Sequence, residues 1–172
     1  MQLYNCQLSN TLNHTLFVKG GDVEVNGCTI AQFYPFDGRR ATAIGIIPPI
    51  LNFKVMNSIV TGYHDDEVVW TSPKNDEVCN FSFDHCVLRT EKMNTEDSLK
   101  FMNTIYENLK DTTQFGEKHF RLFDTDNLKY DFRLRKESAA IGVADAATSF
   151  PTDRRGVLRD DKPDAGCYEF DE

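Results

Sequence analysis

The chain has 172 residues, 40% hydrophobic and 27% charged, with 27 acidic against 19 basic side chains and a net charge of −8. That length suits a single domain over 1–172 with its own core. The acidic balance argues against nucleic acid or an anionic membrane as partner, since both select a basic surface, and no apolar run approaches the ~20 residues of a membrane-spanning helix.

Residues 1–8 read MQLYNCQL, and three later stretches repeat the pattern: VEVNGCTI (23–30), FKVMNSIV (53–60) and FSFDHCVL (81–88). Aligned on the small residues Cys6, Cys28, Ser58 and Cys86, the intervals are 22, 30 and 28 residues. Self-similarity at such periods marks a stacked solenoid. Apolar residues recur two positions after the anchor (Leu8, Ile30, Val60, Leu88) and three before it (Leu3, Val25, Val55, Phe83). They recur again five before it, at Met1, Val23, Phe53 and Phe81.

Alternate residues of a strand share a face. Both apolar pairs therefore point inward only if the chain bends just before the anchor, where Asn5, Gly27, Asn57 and His85 stand. Gly and Asn tolerate the left-handed conformation of a one-residue corner, and His is enriched there more weakly. A second strand follows each anchor, at Leu16 and Val18, Ile44 and Ile46, and Val68 and Trp70; the second repeat carries about six extra residues within Phe33–Arg40. The pattern predicts an all-β solenoid: a right-handed, single-stranded parallel β-helix of about four coils over 1–90, with paired strands roughly 4.8 Å apart. Met1 opens directly into strand pattern, with no signal peptide in this chain. An uncovered first coil exposes a row of backbone groups, so that end is expected to meet upstream residues or another subunit.

Three of the five cysteines occupy the inward anchor position. They form either a column of free thiols packed as small apolar groups or, between neighbouring coils, a Cys6–Cys28 disulfide. No Cys/His spacing suggests zinc.

Two stretches are candidate sites. Asp65, Asp66 and Glu67 follow His64 in a turn and cluster oxygen ligands suited to Ca²⁺ or a sugar; the alternative is a solvated turn leading to Val68. In the insertion, Tyr34, Phe36, Arg39 and Arg40 combine rings and guanidinium groups able to stack on and hydrogen-bond a glycan; the alternative is packing of the rings onto a neighbouring element, with the arginines in solvent.

Past the coils the period changes. Leu99, Met102, Ile105, Tyr106 and Leu109 fall on one helical face, predicting a helix over 94–111 capped by Asn94 or Thr95. HFRLF (119–123) and KYDFRL (129–134) alternate like strands around the turn-rich DTDN, opening a C-terminal region of strands and irregular cap over 117–172.

The tail, DFRLRKESAAIGVAD (131–145) followed by DRRGVLRDDKPDAGCYEF (153–170), resembles the C-terminal segment of secreted bacterial right-handed β-helix proteins of the pectin-lyase-like superfamily, many from Bacteroidetes. Ala139 stands where that segment usually has Pro, and Cys167 where it has Ala. The resemblance implies a structural motif in which Asp153, Arg154, Arg159 and Asp164 pin an irregular segment along the coils, with Ile141, Tyr168 and Phe170 buried. It also implies an extracytoplasmic, carbohydrate-related setting. The clustered acids with Ca²⁺ and a basic residue of the family's lyases are not intact here, nor are the paired aspartates, His and Arg–Lys motif of its hydrolases. The expected function is therefore a non-catalytic scaffold or weak glycan-binding surface, without a required cofactor. The alternatives are a polysaccharide lyase or glycoside hydrolase, and an adhesin-like structural protein.

Overall fold

The computed structural model describes residues 1–92 and 100–171. Those residues are all-β, and the chain runs repeatedly around one circuit. The first turn is β1 (Gln2–Tyr4), β2 (Gln7–Ser9) and β3 (Leu16–Lys19); the second is β4 (Asp22–Asn26), β5 (Thr29–Gln32) and β6 (Ile44–Ile47). The third is β7 (Ile50–Met56), β8 (Ile59–Gly62) and β9 (Val68–Trp70). Two legs then recur twice, as β10 (Cys79–Asp84) with β11 (Val87–Leu88), and as β12 (Phe101–Met102) with β13 (Ile105–Tyr106).

Equivalent strands pair in parallel, giving sheets ordered β1-β4-β7-β10-β12, β2-β5-β8-β11-β13 and β3-β6-β9. This is a circuit compatible with a β-solenoid. Register follows the repeat: Leu3, Val25, Val55, Phe83 and Phe101 form one row. Leu8, Ile30, Val60, Leu88 and Tyr106 form another. The corner residues Asn5, Gly27, Asn57 and His85 have φ of 50, 61, 52 and 49°, and Asn103 joins them at 48°. Each places its backbone in the left-handed region that lets one residue turn both flanking strands inward.

The helix expected over 94–111 is corrected by β12 and β13. Residues 101–106 form a fifth turn, one more than the four repeats read from the sequence; residues 94–99 of that expectation lie outside the described residues. The physical reason is a tie in periodicity. Phe101, Asn103, Thr104 and Tyr106 reproduce the −3, corner, anchor and +2 positions of the repeat, while Met102, Ile105, Tyr106 and Leu109 in the same stretch fall at helical spacing. The parallel ladder onto β10 and β11 decides it.

Inside the circuit, Val25, Cys28, Ile30, Ile44, Phe53, Val55, Val60, Val68, Phe83 and Leu88 have no exposed surface. Burying each aliphatic or aromatic side chain there contributes about 1.5–3 kcal/mol. The Phe83 and Phe101 rings stack 5.2 Å apart at 2°. The anchors also form a ladder: the Cys6 amide donates to Cys28 Sγ at 3.3 Å, and the Cys28 amide to Ser58 Oγ at 3.0 Å. None of the five cysteines is in a disulfide, so the Cys6–Cys28 bridge does not form. Burial pushes the Cys28 and Cys86 thiols up to about 12.

A second core lies on the outer face of the second sheet. Ala31, Ile59 and Val87 pack there against Phe120, Phe132, Leu134, Ala140 and Ala165. This explains why every residue of β5 and β8 is buried. The covering layer is the antiparallel hairpin β14 (Phe120–Asp124) and β15 (Lys129–Leu134), then the tail. Ile141 departs from expectation, being 37% exposed, while the neighbouring Ala140 is sealed. Tyr168 and Phe170 are half-buried.

Candidate functional site

Beside the second sheet, a cleft of about 230 Å³ opens between Tyr63, just past β8, and the segment leading into the 3-10 turn Gly116–His119. Phe33, Tyr63, Phe115, Arg89, Glu117 and Lys118 line it.

Parallel register builds the floor of this cleft. Arg89 directly follows β11, and Glu107 directly follows β13 one turn on. The ladder continues through both, since the Arg89 amide donates to the Val60 carbonyl and the Glu107 amide to the Leu88 carbonyl, each at 2.9 Å. The two side chains are thereby set opposite one another as a cross-strand pair. Arg89 Nε donates to Glu107 Oε2 at 2.6 Å, with the arginine side chain 16% exposed and the glutamate fully enclosed. Buried His119 donates from Nε2 to Glu107 Oε1 at 3.0 Å, and its Nδ1 hydrogen bonds with Ser138 Oγ at 2.8 Å. Burial opposes charge on Glu107, but the His119 hydrogen bond and the Arg89 charge outweigh it, and the carboxyl titrates below the usual glutamate range.

Ser138, His119 and Glu107 share the group order of an acyl-transfer triad. Their placement is otherwise: His119 is 0% exposed and Ser138 6%, and Ser138 Oγ already accepts the Ala140 amide at 3.2 Å. The relay positions Arg89. Gly116, with φ of 63°, completes the fit, because a Cβ there would lie 2.6 Å from Arg89 Nη2.

The insertion flagged in the sequence adjoins this cleft. The Arg40 guanidinium lies over the Tyr63 ring at 4.6 Å, and Tyr63 meets Phe33 edge-on at 5.0 Å. Tyr34 and Phe36 pair edge-on at 5.5 Å, with Phe36 67% exposed. Arg39 is committed to both carboxylate oxygens of Asp37.

Asp65, Asp66 and Glu67 are not brought together as a ligand set. Glu67 turns inward and accepts the Ala43 amide at 2.6 Å and the His64 amide at 2.8 Å; burial pushes its carboxyl up to about 7. Asp66 accepts the Thr90 hydroxyl at 2.5 Å, and Asp65 is exposed. Among the described residues, no three His, Cys, Asp or Glu side chains are placed to hold a metal ion.

The tail residues form a buried polar seam. Asp153 accepts the Arg155, Val157 and Glu169 amides. Asp164 accepts those of Gly142 and Phe170, and burial pushes it up to about 6. Arg159 donates to Glu169 and to the Asp164 and Gly166 carbonyls, all at 2.8 Å. Asn57 joins the seam to the corner row, donating to Asn26 and Thr148 and accepting the Asp145 amide.

Sequence reasoning missed Arg89, Glu107, His119 and Glu169. A signal for the first two existed: both stand three residues past an anchor, at Cys86 and Thr104, in adjacent turns with opposite charge. Recognising it required the fifth repeat. His119 and Glu169 carry no periodic signal.

The chain matches no family model, no curated protein and no solved structure. No helix among the described residues is long and apolar enough to cross a membrane.

Proposed function

We propose that the chain is the non-catalytic β-helical portion of an extracytoplasmic protein, a right-handed single-stranded parallel β-helix of the pectin-lyase-like kind that presents a weak glycan-binding surface. The stacked parallel sheets support the architecture, and the right hand is the general rule for parallel crossovers. The tail motif supports the extracytoplasmic, Bacteroidetes-type setting.

The observation that carries the binding reading is the Arg40–Tyr63 stack, which joins the aromatic insertion to the cleft over Arg89. A sugar needs an apolar ring to stack on and a few fixed polar groups to orient its hydroxyls. Tyr63 and Phe115 supply rings, Arg89 a donor held rigid by Glu107, and Glu117 an acceptor. Exposed Phe36 and Tyr34 extend the surface.

The test is a glycan array probed with the intact chain, then with Tyr63→Ala and Phe36→Ala. The reading expects retention of at least one glycan class and its loss in Tyr63→Ala. Retention of none, or retention that both variants leave unchanged, contradicts it.

A further inference from the structure

The outer surface of the C-terminal hairpin is charged in the opposite sense to the chain. In β15, Phe132 and Leu134 are buried against the second sheet, which turns the alternate residues Asp131, Arg133 and Arg135 to the other side; Arg133 is committed to the Asp131 carboxylate, and Arg135 is not. Arg121 of β14 is held next to them: its Nε donates to the Leu134 carbonyl at 3.2 Å, and its Nη2 to the backbone and carboxylate oxygens of Asp171. Arg155 takes the other Asp171 oxygen at 2.8 Å.

Arg121, Arg135 and Lys136 line a cleft of about 460 Å³ walled by Leu134 and Phe170, with Asp171 as its lining carboxylate. Asp171 is shared between Arg121 and Arg155, so Arg121 is ion-paired within the cleft. Arg135 meets the exposed Glu137 at 3.3 Å, and Lys136 has no ion-pair partner among the described residues. Three cations against one lining carboxylate thus give this cleft a positive balance in a chain of net charge −8. The arginines present planar donor pairs suited to oxyanions, and the lysine adds a mobile point charge.

We infer that this cleft binds an oxyanion group (a carboxylate, sulfate or phosphate) carried on a ring that packs against Phe170. Arg121, immobilised by its two partners, orients the anion, while Arg135 and Lys136 close over it. The inference stands apart from the glycan reading of the Arg89 cleft, and either can fail without the other.

The test titrates the intact chain with sodium sulfate, sodium phosphate or sodium glucuronate at constant ionic strength, with chloride as reference, following amide NMR shifts. Constant ionic strength removes general screening from the comparison. At least one salt should give saturable shifts confined to residues 121, 134–136 and 170–171, with a dissociation constant on the order of millimolar. Arg135→Gln and Lys136→Gln should each weaken it about tenfold with the melting temperature unchanged. A response to glucuronate alone assigns a carboxylate ligand, and a response to sulfate or phosphate a tetrahedral ester; both support the inference. Shifts no different from chloride with all three salts, or saturable binding that neither variant alters, would overturn it.

Discussion

Arg159 and Glu169 meet at 2.8 Å inside the C-terminal tail, with 4% and 7% of their side chains exposed. The same guanidinium reaches Asn5 Oδ1 at 3.4 Å, linking the tail to the corner of the first turn. Removing one partner of such a pair strands a buried charge at about 3–5 kcal/mol. Arg159→Ala should therefore lower the melting temperature by about 10 °C for a chain of this size. Calorimetry checks it, and an unchanged transition contradicts the structural role of the tail.

Buried carboxyls set an asymmetric pH profile. Asp164 is raised from 3.8 to about 6 and Glu67 from 4.5 to about 7. Both hold protons in the folded state where the unfolded chain has lost them. Their contribution is full below the unfolded values and is lost as pH rises through about 6 and about 7. Glu107 works in the other direction: its carboxyl is lowered below 4.5, so its contribution is lost as pH falls through that lower value. Melting temperature should peak near about pH 5 and decline towards neutrality. Glu67→Gln should flatten that decline; a melting temperature rising steadily from acid to neutral pH contradicts the assignment.

The corner row separates backbone from side-chain effects at Asn57, which combines φ of 52° with 1% exposure. Asn57→Gly and Asn57→Ala both lose the bonds to Asn26, Thr148 and Asp145. Alanine additionally strains the left-handed backbone, by about 1–2 kcal/mol. Urea denaturation should rank wild type above the glycine variant and that above the alanine variant. Equal midpoints for the two variants would remove the corner from the account.

The thiols offer a chemical check on the core. Burial pushes Cys28 and Cys86 up to about 12 and Cys167 up to about 11, so little thiolate is present at neutral pH. A thiol reagent should label Cys6 and Cys79 slowly in the folded chain, and all five after denaturation. Rapid labelling of Cys28 or Cys86 in the folded chain contradicts the anchor column.

The sequence exposed the circuit because its core obeys a strict positional rule. The anchor, the +2 and −3 apolar residues and the left-handed corner together leave one way for Val25, Cys28 and Ile30 to point inward. It hid the fifth turn, because Phe101 to Tyr106 satisfy strand and helical spacing at once and the deciding partner, β11, lies elsewhere in the chain. It showed that Phe33–Arg40 was an insertion, but not that Arg40 would settle on Tyr63. The His119 and Ser138 side of the relay had no local signal, since those residues reach Glu107 only after the tail folds back over the second sheet. Asp65 and Asp66 looked like ligands because adjacent carboxylates in sequence say nothing of direction, and Glu67 turns away from both to accept backbone amides.

The fifth turn tests the stacked circuit most directly, through interstrand NOEs in the isotopically labelled chain. Parallel pairing predicts cross-strand contacts from Val87 to Ile105 and from Leu88 to Tyr106, with Arg89 next to Glu107. Consecutive amide–amide contacts running through 101–109, as in a helix, would contradict the account.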